Sequence, residues 1–184
     1  MAPRFQKVNQ ILSGKMTTKP AYDLSSLNVM IVDDSSHMLQ IVRTLLAAMN
    51  IRNMRSVDNP EDAFAELRAR PPELLIVDWN MIPFDGLAFV RRIRRDQECG
   101  CVDVPILLLT AHTELERVLE ARDAGVNRVM AKPVSFRTLY DNMIAALYDP
   151  RPFVSTADYV GPDRRFRPAA GVSAERRKAS NRKH

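Results

Sequence analysis

Between residues 27 and 147, short β-branched apolar runs alternate with longer stretches carrying apolar residues at helical spacing, and this alternation constrains the fold more than any other feature. A chain patterned this way builds a parallel sheet with helices on its faces, because each strand must be followed by a crossover that returns along the same direction. The predicted strands are 28–32, 53–57, 74–77, 105–109 and 128–130. The third and fourth are almost wholly apolar, as strands covered on both faces must be. The predicted helices are 36–49, 60–69, 87–95, 114–124 and 136–148. Their ends carry chemical signals. Asn59 is placed to cap the second helix, with Pro60 at its first position and Glu61 and Asp62 at the positive end of its dipole. Gly125 is placed to end the fourth helix in a left-handed conformation. In the last helix Phe136, Leu139, Tyr140, Met143, Ile144 and Leu147 form an amphipathic stripe that packs on the sheet.

The 184 residues supply one compact domain with material left over. We divide the chain into an N-terminal extension (1–24), an α/β domain with a five-stranded parallel sheet (25–148) and a tail (149–184). The extension is polar apart from Phe5, Val8, Ile11 and Leu12, which would make one weak helix, and it is given no function. The tail has Pro150, Pro152, Pro162 and Pro168 and little aliphatic clustering, so it is expected to be disordered when free. Charge is uneven. Nine of the chain's 27 Lys/Arg and three of its 22 acidic residues follow Pro150, so the stretch after Pro150 carries a net +6 and the rest of the chain is nearly neutral. Such a tail seeks an anionic partner. No apolar run approaches the ~18 residues of a membrane span, and residues 1–28 lack a signal-peptide core, so we expect a cytoplasmic protein without membrane insertion. Cys99 and Cys101, one residue apart, are expected to be separate thiols and are too few for a zinc site. His37, His112 and His184 are scattered and support no transition-metal site.

In an open parallel sheet, functional groups gather beyond the carboxyl ends of the strands. Asp33 and Asp34 follow the first strand, Asp78 the third, Thr110 the fourth, and Lys132 with Pro133 the fifth. Taken singly, an acidic pair is usually solvated, a threonine usually a cap and Lys-Pro usually a turn. Together they put three carboxylates, a hydroxyl and an ammonium on one rim. Three close carboxylates raise one another's pKa unless a cation intervenes, so the set reads as an oxygen-rich Mg²⁺ site. With that charge neutralised, an aspartate can act as nucleophile toward a phosphoryl group while the lysine and hydroxyl take up the remaining oxygens.

The segments IVDD (31–34), LLIVDWNMIPFDG (74–86), PILLLTA (105–111) and AKP (131–133) resemble the receiver domain of two-component response regulators, the CheY-like family. The resemblance covers residues 25–148. It implies a flavodoxin-like (βα)5 fold with Asp78 as phosphoacceptor. Asp33, Asp34 and Asp78 would hold Mg²⁺ together with the backbone carbonyl of Asn80, and Thr110 and Lys132 would contact the phosphoryl oxygens. The Lys132–Pro133 bond is often cis in such domains. Two positions depart from the family pattern. Ile82 stands where a proline is normal, with Pro83 after it, and Val129 replaces the Tyr or Phe that rotates as Thr110 moves. A valine has no ring to swing, so coupling of phosphorylation to the surface is expected to be weakened. No turnover is implied beyond self-phosphorylation from a donor and slow self-hydrolysis, so the protein is not read as an enzyme.

The tail's 36 residues are too few, and too rich in Pro and Arg, for a helix-turn-helix module, so specific DNA binding is not expected. The tail instead interleaves arginines with an acid and aromatics. Arg164, Arg165 and Arg167 can donate to the O6/N7 edge of guanine, Asp163 can accept from its opposite edge, and Tyr159 and Phe166 can stack on bases. Arg176 and Arg177 would be auxiliary contacts. By composition alone the tail reads first as a solubilising or nonspecific RNA-attracting segment. A receiver followed by Tyr-x-Gly-Pro-Asp-Arg-Arg, however, resembles the Cle group of CheY-like cyclic di-GMP effectors. That resemblance implies cyclic di-GMP as ligand and docking at the flagellar motor switch, around His112, Arg128, Val129 and Arg137, to tune motility and surface attachment at the flagellated pole. The alternative is a phosphorylation-driven receiver served by a histidine kinase or phosphotransfer protein, with a passive tail.

Overall fold

The computed structural model describes residues 7–8, 21–82, 85–112 and 114–165. Five strands, β3 (Val29–Val32), β4 (Met54–Val57), β5 (Leu74–Asp78), β6 (Ile106–Thr110) and β7 (Arg128–Ala131), form one sheet in the order β4-β3-β5-β6-β7. Every pairing in it is parallel. The crossovers are α1 (Ser36–Ala48), α2 (Pro60–Ala69), α3 (Gly86–Arg95) and α4 (Leu115–Asp123), and α5 (Phe136–Leu147) follows the last strand. This is the (βα)5 arrangement expected, with boundaries one residue or less from the predicted ones. The reversal of strand order beside β3 brings the ends of β3 and β5 together.

Successive strand residues point to opposite faces, so each strand serves two cores. Met30, Val32, Leu75, Val77, Ile106 and Leu108 pack with Phe64, Leu87, Phe89 and Ile93 on one side. On the other, Val29, Ile31, Leu74, Ile76, Leu107 and Leu109 pack with Val42, Leu46, Leu139 and Met143. β3, β5 and β6 are buried along their whole length, which accounts for their apolar composition. Asn59 accepts from the Glu61 N–H as its cap, and Gly125 takes a φ of 92° just beyond α4. α4 is the exception among the helices. Its Glu114 cap makes no side-chain bond and only Ala121 is fully buried.

Three expectations are corrected. Lys7–Val8 (β1) pairs antiparallel with Ala21–Tyr22 (β2), so Val8 lies in a strand and not in a weak helix; Phe5, Ile11 and Leu12 lie outside the described residues. Leu24 is buried in the second core, ahead of the expected boundary at residue 25. Cys99 and Cys101 are joined as a disulfide, with Cα atoms 5.2 Å apart; Gly100, at φ 63°, folds the chain back sharply enough to bring them together.

The largest correction concerns the segment after residue 148, expected to be unstructured. Residues 149–165 are folded: β8 (Phe153–Ser155) and β9 (Val160–Pro162) make an antiparallel hairpin that packs beside α3 and α4. Its anchor is Tyr159, 8% exposed, whose hydroxyl donates to the Pro162 carbonyl at 2.7 Å. Arg151 pairs with Asp149 and donates to the Asn127 carbonyl at 2.8 Å. The packing partners come from the body of the domain, so the segment needs no aliphatic cluster of its own. Residues 166–184 lie outside the described residues.

Candidate phosphoacceptor site

The carboxyl ends of β3, β5, β6 and β7 deliver their residues to one rim, as predicted. Asp33 immediately follows β3, Asp78 and Thr110 close β5 and β6, and Lys132 follows β7. Asp33, Asp78 and Thr110 are buried, Asp34 is exposed, and the Lys132 side chain is 22% exposed. One oxygen from each of Asp33, Asp34 and Asp78 lies within 4.8 Å of the others. Lys132 Nζ is 2.9 Å from Asp78 Oδ1 and 3.6 Å from Asp33 Oδ2. The Lys132 backbone N–H donates to the Thr110 carbonyl at 2.7 Å, and the Lys132–Pro133 bond is cis.

Each carboxylate has one oxygen held by a backbone N–H. Asp33 Oδ1 accepts from the Ser35 N–H, Asp78 Oδ1 from the Trp79 N–H and Asp34 Oδ2 from the Ile82 N–H, at 2.9 to 3.0 Å. Asp33 Oδ2 is fully buried with no hydrogen-bond partner. Burial pushes the Asp33 carboxyl above its ordinary value and the Asp78 and Asp34 charges add to this, against the Ser35 N–H and Lys132. A buried carboxylate oxygen that accepts no hydrogen bond among the described residues, with Lys132 Nζ 3.6 Å away and two further carboxylates beside it, belongs to the kind of donor set a hard divalent cation requires, so the residues fit Mg²⁺. When bound, Mg²⁺ supplies a positive charge that lets Asp78 approach an anionic phosphoryl donor. Asn80 lies on the same recess as Asp34 and Asp85.

Thr110 is held in reserve by its own loop. Its hydroxyl donates to the His112 carbonyl at 3.0 Å and accepts from the His112 N–H at 2.9 Å. Val129 is half-buried and packs against the core below it, with no ring to move. Ile82 is 84% exposed and Pro83 lies outside the described residues.

Three site features were missed in the sequence. Gly86 opens α3 against the backbone of β5, and a Cβ there would overlap the Asp78 carbonyl oxygen. Trp79 is buried in the core and at the same time lines the recess beside Asp34 and Asn80, with Arg117 of α4 lying 5.4 Å from its ring centroid. The signal for Gly86 was its place at the end of the 74–86 motif. For Arg117 there was none, since its neighbour comes from another element.

The tail residues fall elsewhere, at the far end of α4. Tyr159 is buried and not free to receive a base on both faces; the Arg164 guanidinium lies 4.1 Å from its ring centroid and reaches Asp123 Oδ1 at 3.0 Å. Asp163 Oδ1 accepts from the Arg165 N–H at 2.8 Å, and Arg165 is exposed. Arg167, Arg176 and Arg177 lie outside the described residues.

Residues 29–144 match the response regulator receiver domain family, and the chain belongs to that family. It is 32% identical over 118 residues to the chemotaxis protein CheY-3 of Vibrio cholerae, covering 64% of this chain and 89% of that one. The chemotaxis protein CheY of Pseudomonas aeruginosa is 30% identical over 117 residues, covering 64% and 93%. Among solved structures, V. cholerae CheY4 superposes with a TM-score of 0.60 at 26% identity, covering 65% of this chain and 98% of that one. The receiver domain of a P. aeruginosa sensor histidine kinase, solved with magnesium in its active-site cleft, shares the fold at a TM-score of 0.58 and 20% identity, over 66% of this chain and 98% of its own.

Proposed function

We propose that this protein is a phosphoacceptor receiver in which Asp78 accepts a phosphoryl group from a histidine kinase or phosphotransfer protein. The observation that carries the reading is Lys132 Nζ at 2.9 Å from Asp78 Oδ1 and 3.6 Å from the buried Asp33 Oδ2. An oxygen of Asp78 attacks phosphorus, the bond from phosphorus to the donor nitrogen breaks, and an acyl phosphate forms. Lys132 then offsets the charge of the transferred oxygens and the Thr110 hydroxyl donates to them; Asp33, Asp34, Asp78 and the Asn80 carbonyl would hold Mg²⁺, which would supply further positive charge there. Incubation with acetyl phosphate and Mg²⁺, followed by intact mass, tests this. Wild type should gain one phosphoryl group, and Asp78→Asn or chelator-treated protein none. Equal phosphorylation of Asp78→Asn would assign the phosphoacceptor elsewhere.

A second reading concerns the tail: it binds cyclic di-GMP, and the complex docks on the flagellar motor switch through the surface around His112, Arg128, Val129 and Arg137. Support comes from Arg164, stacked on Tyr159, and exposed Arg165, both following Asp163. An arginine plane already lying on an aromatic ring offers its outer face to a base. The residues named for docking are exposed apart from half-buried Val129, and the relatives bear chemotaxis names. A cytoplasmic protein acting at the flagellated pole fits this reading. Calorimetric titration of cyclic di-GMP, with GTP and linear pGpG as controls, decides it. Cyclic-selective binding lost in Arg164→Ala/Arg165→Ala is expected, and no selectivity in wild type would sink it.

A further inference from the structure

Between α3 and the hairpin lies a groove of about 270 Å³. Its helix wall is Arg91, Arg94 and Arg95, its other wall is the hairpin turn from Ser155 to Val160, and Asp123 stands at one end. The arginines differ in how far they are committed. Arg91 makes only a 3.5 Å contact with Glu120, and Arg95 makes no hydrogen bond or ion pair among the described residues. Both are exposed.

Arg94 is 2% exposed. It donates to the carbonyls of Gly125, Val102 and Val104 and to Asn127 Oδ1, all of them neutral. No carboxylate lies within ion-pair distance of it among the described residues. Burial lowers its pKa to about 10, which leaves it charged at neutral pH. Buried charges are ordinarily paired, and a buried cation without a counter-ion holds the nearest opening at positive potential. The rim does not cancel that potential. Asp123 already pairs with Arg122 at 3.1 Å and Arg164 at 3.0 Å, which leaves Asp158 at the hairpin turn and Asp103, which acts on Arg94 from beyond ion-pair distance, against Arg91, Arg94 and Arg95.

We propose that this groove binds the phosphate of a small nucleotide ligand, with Arg95 and Arg91 as direct donors and the buried charge of Arg94 as its fixed counter-ion. A guanidinium meets a phosphate with two parallel N–H donors, and two of them one helical turn apart can grip it from one side. Tyr159 lines the same groove with Arg164 lying on its ring, so the outer face of the exposed Arg164 guanidinium is the surface on which a base attached to that phosphate would stack. The site is assembled only when the hairpin is docked. It requires no particular base, and so stands whether or not the ligand is cyclic di-GMP.

The test is an NMR titration of the isotopically labelled full chain with pyrophosphate and, separately, cyclic di-GMP, against chloride at matched ionic strength. Saturable shifts should appear at residues 91–97 and 155–160. Arg91→Gln/Arg95→Gln should weaken pyrophosphate binding at least tenfold with an unchanged melting temperature, since both side chains are exposed. Shifts no larger than those from chloride, or a double variant that binds pyrophosphate as wild type does, overturn the proposal. Pyrophosphate in the groove without a response to cyclic di-GMP removes only the guanine reading. Cyclic di-GMP bound through Arg164 and Arg165 with the α3 variant unaffected removes only the groove.

Discussion

Gly161 and Gly125 meet face to face, so close that a Cβ on Gly161 would lie 2.7 Å from the Gly125 Cα. Gly161 also has a φ of 154° and Gly125 one of 92°, conformations that L side chains rarely adopt. This contact is what lets the hairpin lie on the end of α4. Gly161→Ala should cost about 2 kcal/mol through overlap and backbone strain, lowering the melting temperature by roughly 6 °C in a domain of this size. Thermal unfolding measures it, and a change under one degree would mean that the hairpin is not held at this contact. Acyl phosphate formation at Asp78, at the opposite end of the strands, should be unchanged.

The contrast between the sheet and the hairpin explains how much was legible in the sequence. The sheet announces itself because β5 and β6 need apolar residues on both faces and their helices begin or end at Asn59, Pro60 and Gly125, residues with local chemistry of their own. The site was equally legible, since a parallel sheet sends its strand ends to one rim wherever the helices settle. The hairpin has no such signal. Tyr159, Gly161 and Pro162 are types that composition reads as loop, and their packing partners are Gly125 and Arg94, more than thirty residues away. Arg94 did carry a trace: it shares the helical stripe of Leu87 and Val90, a register in which a solvated charge does not belong.

Asp33 separates a metal site from a structural carboxylate cluster. Asp33→Asn removes one of three close negative charges and replaces a carboxylate whose Oδ2 is buried with no hydrogen bond among the described residues. Without Mg²⁺ the variant should be at least as stable as wild type, because a buried charge with incomplete hydrogen bonding is costly. Its Mg²⁺ affinity, followed by Trp79 fluorescence, should fall tenfold or more. A variant that is destabilised and still binds Mg²⁺ normally would make Asp33 a structural residue.

Lys132→Met tests the charge at the acceptor. The ammonium lies 2.9 Å from Asp78 Oδ1, and methionine keeps much of its stem while removing the charge. Phosphorylation by acetyl phosphate should slow by about 10² in rate, the scale of losing one preorganised charged contact, with the fold intact by circular dichroism. A rate within threefold of wild type would assign the phosphoryl oxygens to other groups.

The docked hairpin should have an acid limit set by Asp149. Burial works to raise this carboxyl, but the Arg151 side chain and backbone N–H and the Asn127 amide outweigh it and hold it below the usual carboxylate range. A depressed carboxyl contributes stability that is present above its unfolded value, about 3.9, and is lost as pH falls through the lower folded value. Amide protection factors at residues 153–162, with the intrinsic pH dependence of exchange divided out, should therefore be flat from pH 8 to 5 and fall below about pH 4. Asp149→Asn should remove that step and lower protection at neutral pH. A step that persists in the variant would move the titrating group elsewhere.

Arg94 decides whether the hairpin end of the molecule is held by charge or by shape. Its planar head serves three carbonyls and one amide oxygen at once, so an apolar replacement leaves the three carbonyls without that donor and Asn127 Oδ1 with the Ile106 N–H alone. Arg94→Met should cost about 3 kcal/mol or more on that account. Arg94→Lys retains the charge but has one donor centre where the guanidinium has a fork, and it cannot span Gly125, Val104 and Asn127 together. The lysine variant should recover less than half of the loss, and in both variants protection of residues 153–162 should fall before that of the sheet. If lysine restores full stability, the charge alone anchors the hairpin. If methionine is tolerated, the four bonds contribute little and Tyr159 with the two glycines carries the contact by itself.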